Sequence, residues 1–491
     1  MWRGEIDGVT ILREDLPGVP AATLTVGCGA RDEALDTTGL THLVQALLGR
    51  AEPGRVDRST AGTSIVDTSF TAAGSPEQLA EHFAAICAAV SGLPGEELAD
   101  AVADVDPEDR YLPDIENLRD PWGSLLARRF GPSGPGLARW PVVDYRLFTA
   151  DEIRRHVTTY FTSGNTVLAT IAAMPPDLRL PLPPGPRVSH PTPPVRHQTG
   201  PIWYADDVLG PGLSFGAEPG AAVVLLLRVL MTRVGAALDR AGLALTAYPV
   251  FLAVDSTRHE FGLTVSPKGG GARDSDAAAA AELLWTELLR LVRDGPDQAE
   301  LDHEMPEEHD RVLPEALQAR LASVAWLWHI AELEPATGRE LFGTADSYIP
   351  DARAELRGLT PAAARDLMSG WLSTATIVVP SGARPSLSGC TEDPCPRTRH
   401  VPSGEVLRPP LLKRRRNRGT LVIGADSIST VDGEGDVHTV PLSDALVAER
   451  NGALWLAHTG HGCLTDISDF AGAADKLRSL LPPRRFRRVF G

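Results

Sequence analysis

Residues 39–50, GLTHLVQALLGR, form an apolar segment of helical character that carries one histidine and one glutamine. Two histidines four positions apart on a helix can both ligate one Zn²⁺, and a glutamate just before the second can activate the metal-bound water. Here Gln45 stands at the position of the base and Ala46 at the position of the second ligand. We therefore expect His42 to be a structural histidine on a half-buried helix face, its nitrogens bonded to backbone or water.

A second group of possible metal ligands lies at residues 303–309, HEMPEEH. Pro306 interrupts any helix through this segment, and His303 and His309, six positions apart, would lie on different faces of a helix. We predict a solvated acidic helix here and not a metal site. Residues 326–329, WLWH, are expected to pack in the core or at an interface.

The cysteines indicate a reduced cytoplasmic protein, because they are odd in number and contain no CxxC pair. The five positions are Cys28, Cys87, Cys390, Cys395 and Cys463. Cys390 and Cys395 lie in a Pro-rich segment and could pair with each other. We favour the alternative in which both are free, solvated thiols.

Charge and hydropathy restrict the classes of partner. The net charge of −17 argues against a nucleic-acid partner, whose phosphates require a basic face. The N-terminal sequence has no basic region followed by an apolar run, so no signal peptide is expected. The most apolar stretch, residues 221–238, contains Arg228 and Arg233 and is predicted to be a buried helix. We expect a cytoplasmic protein without membrane contact.

Two Pro-rich segments, residues 174–197 and about 381–410, exclude helix and central strand and divide the chain. A chain of 491 residues exceeds what one hydrophobic core usually serves, so several domains are expected. The predicted organisation is an N-terminal domain at 1–175, a Pro-rich linker at 176–200, a second domain at 201–385, a linker at 386–412 and a C-terminal domain at 413–491.

The first two predicted domains end alike, in a helix followed by a Val-rich strand. Thr149 and Thr360 are each placed to cap the N-terminus of such a helix. Tyr160 and Trp371 would end the two helices, and both pairs of residues are 211 positions apart. The alternative is chance similarity of a common helix–strand pattern, but we interpret the match as an internal repeat of one α+β unit.

Alternation and helical periodicity predict an α+β fold in both domains. In the first domain they predict strands at residues 8–15, 21–33 and 63–74, and helices from Thr38 and at residues 75–93. The first two strands are expected to pair with each other, and Ser75 and Gln78 to form a capping box. In the second domain the prediction is helices at residues 221–238 and 277–292, and strands at residues 246–255 and 260–267.

The helix with His42, the strands before it, and the strand-ending repeat resemble the pitrilysin/insulinase family of zinc peptidases. The resemblance extends over residues 1 to about 385 and implies two homologous α+β domains that form half of a clamshell. In that family the helix carries a complete HxxEH motif, and a glutamate from a later helix completes the zinc site.

Carried over to this sequence, the resemblance places His42 at the first zinc-ligand position, Gln45 at the general-base position and Ala46 at the second histidine position. The best match to the third ligand is Asp114, which is one methylene shorter than glutamate and follows a proline. One imidazole and one short carboxylate make a poor zinc site. The resemblance therefore implies a catalytically degenerate member, with no cofactor where active relatives hold zinc.

The second domain of that family also contributes an Arg and a Tyr, seven residues apart, which polarise the scissile carbonyl. The corresponding positions here are Leu238 and Leu245. A shifted register would offer Arg240 and Tyr248 instead, eight residues apart. Neither leucine can donate a hydrogen bond, so this second half of the chemistry is also expected to be missing.

The C-terminal piece has a different pattern, which predicts three successive antiparallel strands at residues 419–431, 437–449 and 453–467, followed by one amphipathic helix at residues 469–481. This pattern resembles a pleckstrin-homology-like barrel, although no motif accompanies it. Residues 413–416 and 484–488 are basic and flank the piece. They could contact anionic lipid or an acidic partner, but a solvated linker and tail are favoured.

These observations favour a non-catalytic homologue that acts as a structural or peptide-binding subunit. The resemblance implies a homodimer, or a heterodimer with an active insulinase-family subunit, and a possible peptide ligand bound at a sheet edge. Two alternatives stay open. One is an active zinc metalloendopeptidase with unusual ligands such as His42 and Asp114. The other is an adaptor that works through its C-terminal barrel.

Overall fold

The computed structural model of the protein describes residues 1–16, 18–50, 56–93, 102, 118–190, 193–255, 257–267, 273–305, 327, 330–343, 356–413 and 418–488. Its helices are α1 (Leu40–Gly49), α2 (Pro76–Val90), α3 (Pro121–Phe130), α4 (Ala150–Tyr160), α5 (Ala221–Arg240), α6 (Asp274–Asp294), α7 (Gln298–Glu304), α8 (Glu334–Phe342), α9 (Pro361–Met368), α10 (Trp371–Thr374) and α11 (Ala473–Leu480).

The strands of the first two sheets are β1 (Trp2–Ile6), β2 (Val9–Arg13), β3 (Ala21–Val26), β4 (Arg58–Thr63), β5 (Thr68–Ala73), β6 (Thr166–Thr170), β7 (Ile202–Asp206), β8 (Gly212–Ala217), β9 (Leu245–Ala253), β10 (His259–Pro267), β11 (Thr376–Pro380) and β12 (Thr391–Glu392). The C-terminal strands are β13 (Glu405–Leu407), β14 (Thr420–Ile423), β15 (Ser427–Val431), β16 (Val437–Pro441), β17 (Ala445–Arg450), β18 (Ala453–His458), β19 (Cys463–Asp466) and β20 (Phe486–Arg488).

Five adjacent strands of each six-stranded sheet repeat one topology, whereas the sixth differs, because β1 pairs antiparallel to β2 and the late strand β12 pairs parallel to β7. The first sheet has the order β1-β2-β6-β3-β5-β4 and the second β12-β7-β11-β8-β10-β9. In the first sheet, β6 lies between β2, to which it is parallel, and β3, to which it is antiparallel. In the second sheet, β11 lies in the same way between the parallel β7 and the antiparallel β8. The strand order thus repeats along the chain as the predicted α+β unit requires.

The predicted helix caps at the repeated segments are confirmed. The Thr149 hydroxyl accepts a hydrogen bond from Glu152 N at 3.3 Å, and the Thr360 hydroxyl accepts one from Ala363 N at 3.2 Å. Ser75 forms the predicted capping box at the start of α2. The helix ends differ, because α4 ends at Tyr160 whereas Trp371 begins the separate short helix α10 after Gly370.

Two strand predictions were wrong. The first two long strands of the chain do not pair with each other, because β6 is inserted between β2 and β3. The alternating stretch at residues 63–74 is not one strand, since residues 64–67 form the turn of the β4–β5 hairpin. In this turn the Ser64 hydroxyl donates to the Asp67 carboxylate at 2.9 Å, a local bond that interrupts the alternation.

Each six-stranded sheet is covered by its own helices. The first core brings α1 and α2 against the sheet through Leu43, Val44 and Phe83, and the second packs α5 and α6 through Leu226 and Leu284. Helix α5 is long and apolar enough to cross a membrane by length and composition. However, its residues are a large part of the second core, as expected for the buried helix predicted there.

Helix α3 joins the first half of the chain, which contains the first sheet and its helices, to the second half, which contains the second sheet and its helices. Its residue Leu125 packs with Tyr204 and Val378 of the second sheet. Gly212 permits this approach, because a Cβ at that position would lie 2.8 Å from the Cβ of Pro121. The Arg129 guanidinium at the end of α3 forms a buried ion pair at 2.6 Å with a carboxylate on β10.

The C-terminal strands form two four-stranded sheets with the orders β13-β14-β15-β16 and β19-β18-β17-β20. The predicted helix is α11, but each of the three predicted strands is divided by a turn into two shorter strands, so that six strands in two sheets replace them. A tight turn joins β17 to β18, where Asn451 and Gly452 both have positive φ. The pleckstrin-homology-like barrel stays a prediction.

The C-terminal sheets pack against the first half through an apolar cluster. This cluster combines Leu35 and Trp140 with Leu446, Trp455 and Leu464. The segments predicted as linkers also carry structure. Leu178, Leu180 and Leu182 are buried in the first core, and residues 386–412 contribute β12 to the second sheet and β13 to the third.

Candidate functional site

The N-terminus of α1 is fixed by a carboxylate. Glu33 accepts hydrogen bonds from the backbone N–H groups of Gly39 at 2.8 Å and Thr41 at 2.7 Å. An anion at this end of a helix is favoured by the helix dipole, whereas burial raises the pKa of Glu33 to about 7. Gly39 has φ +93, and a Cβ there would lie 2.7 Å from the Cβ of Val142, so the turn into α1 requires glycine.

The ring of His42 forms a hydrogen bond with the hydroxyl of Tyr145. Its Nδ1 lies 2.8 Å from the hydroxyl of Tyr145, and the two rings meet edge to face. For Nδ1 the partner is thus a side chain and not the backbone or water partner that we expected. Gln45 is only 8% exposed, and Ala46 packs against the first core.

The residues of α1 do not fit a zinc ion of the HxxEH type. Ala46 has no ligand atom, and an amide at position 45 cannot act as general base. Asp114, the predicted third ligand, lies outside the described residues. This helix therefore lacks the second ligand and the base that zinc-dependent hydrolysis would need.

A polar cluster lies behind α1. The Nε2 atom of His156 lies 3.1 Å from the Thr41 hydroxyl and 3.6 Å from the Cys28 sulfur. Burial lowers the pKa of His156 to about 4 and raises the pKa of the Cys28 thiol. Both groups are therefore neutral near pH 7, so this Cys–His contact lacks the thiolate that nucleophilic chemistry needs.

The predicted oxyanion positions of the second half lie in the core. Leu238 near the end of α5 and Leu245 at the start of β9 are both buried in the second hydrophobic core. The alternative pair differs, because Arg240 and Tyr248 are both exposed to solvent. The shifted register therefore stays a prediction.

The acidic segment that begins at His303 differs in part from its prediction. Helix α7 ends at Glu304, and the residues from Pro306 to His309 lie outside the described chain. The carboxylate of Glu304 is buried. It accepts a hydrogen bond from the Thr232 hydroxyl at 2.6 Å and forms an ion pair with Arg228 at 3.2 Å. The expectation of a solvated face was wrong for Glu304, because α7 packs against α5 at this position. Trp326, Trp328 and His329 also lie outside the described residues.

A buried charge network that the sequence did not reveal joins three parts of the chain. Arg139, which follows α3, forms a fully buried ion pair with Asp206 at the end of β7. Ser124 of α3 donates to the same carboxylate at 2.6 Å. The other carboxylate oxygen accepts from Leu464 N of β19 at 2.9 Å. This network connects the first half, the second sheet and the C-terminal sheets.

The cysteines are arranged differently from the prediction. Cys395 is paired with Cys463 on β19 at the distance of a disulfide, so the expectation of free thiols was wrong for these two residues, whereas Cys390 is free and half-buried. The Nε2 atom of His438 on β16 lies 3.6 Å from the Cys463 sulfur. Burial, aided by neighbouring positive and imidazole groups, lowers the pKa of His438 to about 4. The run HTGHGC at residues 458–463 is the local signal that could have drawn attention to this region.

The basic C-terminal segment is not a solvated tail, because its arginines contact the first half of the chain. Arg484 pairs with Glu152 at 2.7 Å, and Arg485 pairs with Asp36 at 2.5 Å. The Arg484 side chain lowers the pKa of Glu152 to about 2. These residues are therefore occupied within the chain. At the other flank, Lys413 pairs with Asp469 at 2.9 Å, and residues 414–416 lie outside the described chain.

The repeated six-stranded sheets, each covered by helices, with His42 on the first of those helices, define the class of protein. The chain has the fold of the pitrilysin/insulinase, or M16, peptidases. This conclusion rests on solved structures, since no family model and no curated protein sequence matches the chain.

Three of these structures illustrate the likeness. The peptidase M16 inactive domain from Pseudomonas fluorescens has a TM-score of 0.59 at 16% identity and covers 80% of this chain and 99% of its own. A chain of Complex III2 from Candida albicans has a TM-score of 0.55 at 15% identity, with 77% and 95% covered. The first half of the periplasmic protease PqqL from Escherichia coli has a TM-score of 0.55 at 14% identity, with 78% and 92% covered. At these identities the likeness concerns the fold.

Proposed function

We propose that this chain is a non-catalytic homologue of the M16 peptidases that acts as a structural or peptide-binding subunit, paired with itself or with an active zinc peptidase. The observation that carries the proposal is the environment of His42. Its Nδ1 is bonded to Tyr145, and the residue one turn later, Ala46, offers no ligand. An active zinc peptidase would need two ligands and a base on this helix.

The structural neighbours support this proposal. They include an M16 domain described as inactive and a chain of Complex III2, as well as the first half of a periplasmic protease. These likenesses are consistent with this fold being used without catalysis and as one part of a larger assembly. The cytoplasmic location, the domain division and the pleckstrin-homology-like C-terminal domain belong to the same proposal.

The edge of the second sheet is the surface that we assign to a partner or peptide. Strand β9 is the outermost strand of its sheet, so one side of its backbone has no neighbouring strand among the residues that the structure describes. Two aromatic side chains are exposed on it, Tyr248 at 51% and Phe251 at 64%. Pro249, between them, lacks an N–H group, so contact through these side chains is favoured over continuous strand addition.

Restoring the sequence motif is expected not to restore peptidase activity. The double change Gln45→Glu with Ala46→His returns a base and a second ligand position. Leu238 and Leu245 stay buried in the core and cannot polarise a carbonyl. Hydrolysis of a quenched-fluorescence peptide should therefore stay at the level of wild type. Chelator-sensitive cleavage by the double variant would contradict this explanation, and circular dichroism checks that the variant is folded.

Self-association through β9 is expected to depend on Phe251. Light scattering across a concentration series should give the mass of two chains for wild type, and Phe251→Glu should weaken association about tenfold or more, since central aromatics dominate such interfaces. The matched control is Leu367→Glu, a change at another exposed apolar residue on α9. A wild-type chain that stays monomeric at all concentrations, alone and with an active relative, would remove the pairing from the proposal.

A further inference from the structure

Two thiols and an imidazole converge from three separate elements at the C-terminal side of the second sheet. Cys395 follows strand β12, His438 lies on β16 and Cys463 begins β19. Their ligand atoms all lie within 4.8 Å of one another. His438 and Cys463 are buried, and Cys395 is half-buried. This is the only such group among the residues that the structure describes, and it lies far along the chain from α1.

The distance between the imidazole and one of the sulfurs corresponds to that of zinc ligands, whereas the two sulfurs lie at the separation of a cystine and would move apart around a metal ion. Sulfur at about 2.3 Å and nitrogen at about 2.0–2.1 Å from a tetrahedral Zn²⁺ lie roughly 3.3–3.8 Å from each other. The distance from His438 Nε2 to the Cys463 sulfur is 3.6 Å. Two thiolates and one imidazole are also the donor set that zinc prefers over magnesium or calcium.

We propose that Cys395 and Cys463, when both are reduced thiols, bind a zinc ion together with His438. Binding releases the two thiol protons and places both sulfurs in the metal shell as thiolates. The three residues line a cavity of about 1040 Å³, which is also bordered by Asp207 and Trp455. The cavity would leave room for a water molecule as a fourth ligand.

The site would fasten the segment at residues 386–412 to the C-terminal sheets. Leu464, next to Cys463, already donates its N–H to Asp206 of the second sheet. Zinc bound to these three residues would therefore link the segment after β12 to the two C-terminal sheets. The cystine in which the structure pairs Cys395 with Cys463 makes the same link in the oxidised chain, but it gives no role to the His438 nitrogen beside the sulfur.

The experiment measures metal content and thiol number on the full-length chain. The protein is purified with its affinity tag removed, zinc is determined by elemental analysis, and thiols are counted after denaturation with a chelator. Wild type should hold about one zinc per chain, and all five thiols should react. Cys463→Ser and His438→Gln should each lower the zinc content about fivefold or more. Cobalt substitution should produce a thiolate-to-metal absorption band in wild type that Cys463→Ser lacks.

The matched controls are Cys390→Ser, which removes a free cysteine five positions from Cys395, and His42→Ala in α1. Both should retain the zinc of wild type. A chain without zinc and with two reactive thiols fewer than five would demonstrate a cystine and overturn the proposal, but would leave the proposed function intact. Zinc that is lost in His42→Ala and kept in Cys463→Ser would overturn both.

Discussion

The change Asp206→Ala is expected to lower the free energy of unfolding by about 3–5 kcal/mol, because it leaves a buried guanidinium without its counter-charge. The side chains of Asp206 and Arg139 are both 0% exposed, so water cannot replace the lost carboxylate. The change also removes the acceptor for Ser124 and for Leu464 N. The loss should therefore affect all three parts of the chain that meet at this carboxylate.

The measurement is urea unfolding followed by circular dichroism and by tryptophan fluorescence. The control is Asp151→Ala, which removes the carboxylate from an exposed ion pair with Arg154 and should cost less than about 1 kcal/mol. In the double variant Arg139→Met with Asp206→Leu, much of the loss should be recovered, since neither charge is left buried. A cost below about 1 kcal/mol for Asp206→Ala would show that the pair is not a main contributor to stability.

The sequence predicted those parts of the fold that local chemistry specifies. Ser75, Thr149 and Thr360 cap their helices because each hydroxyl bonds an N–H only a few residues away. The insertion of β6 between β2 and β3 was not predicted, because parallel pairing over more than 150 residues leaves no local pattern. Alternation indicated that strands exist but not which of them are neighbours.

The same distinction applies to the candidate sites. The missing ligand and base at Ala46 and Gln45 could be recognised because helical spacing places them one turn after His42 on the same face. The convergence of Cys395, His438 and Cys463 could not be recognised from the sequence, because the three residues come from different elements and meet only in the folded chain. Tyr145 as the partner of His42 was missed for the same reason.

The change Arg487→Ala is expected to cost about 2–4 kcal/mol, because it leaves several buried acceptors without donors and creates a cavity. Arg487 lies on the short strand β20, which pairs parallel to β17. Its guanidinium donates to the carbonyls of Leu35 and Pro141 and, at 2.5 Å, to the Thr38 hydroxyl. Burial lowers the pKa of Arg487 to about 9, so the group is still protonated at neutral pH.

The residues that Arg487 holds are those that lead into α1, so its loss should loosen the end of the chain and the surroundings of His42 together. Hydrogen exchange is the measurement that can detect this, since it should show faster exchange in β20 and in residues 35–41. The control is Arg485→Ala, which breaks an ion pair with the exposed Asp36 and should cost less than about 1 kcal/mol. If Arg487→Ala unfolds at the same urea concentration as Arg485→Ala and leaves exchange near α1 unchanged, the C-terminal strand does not support the helix that carries His42.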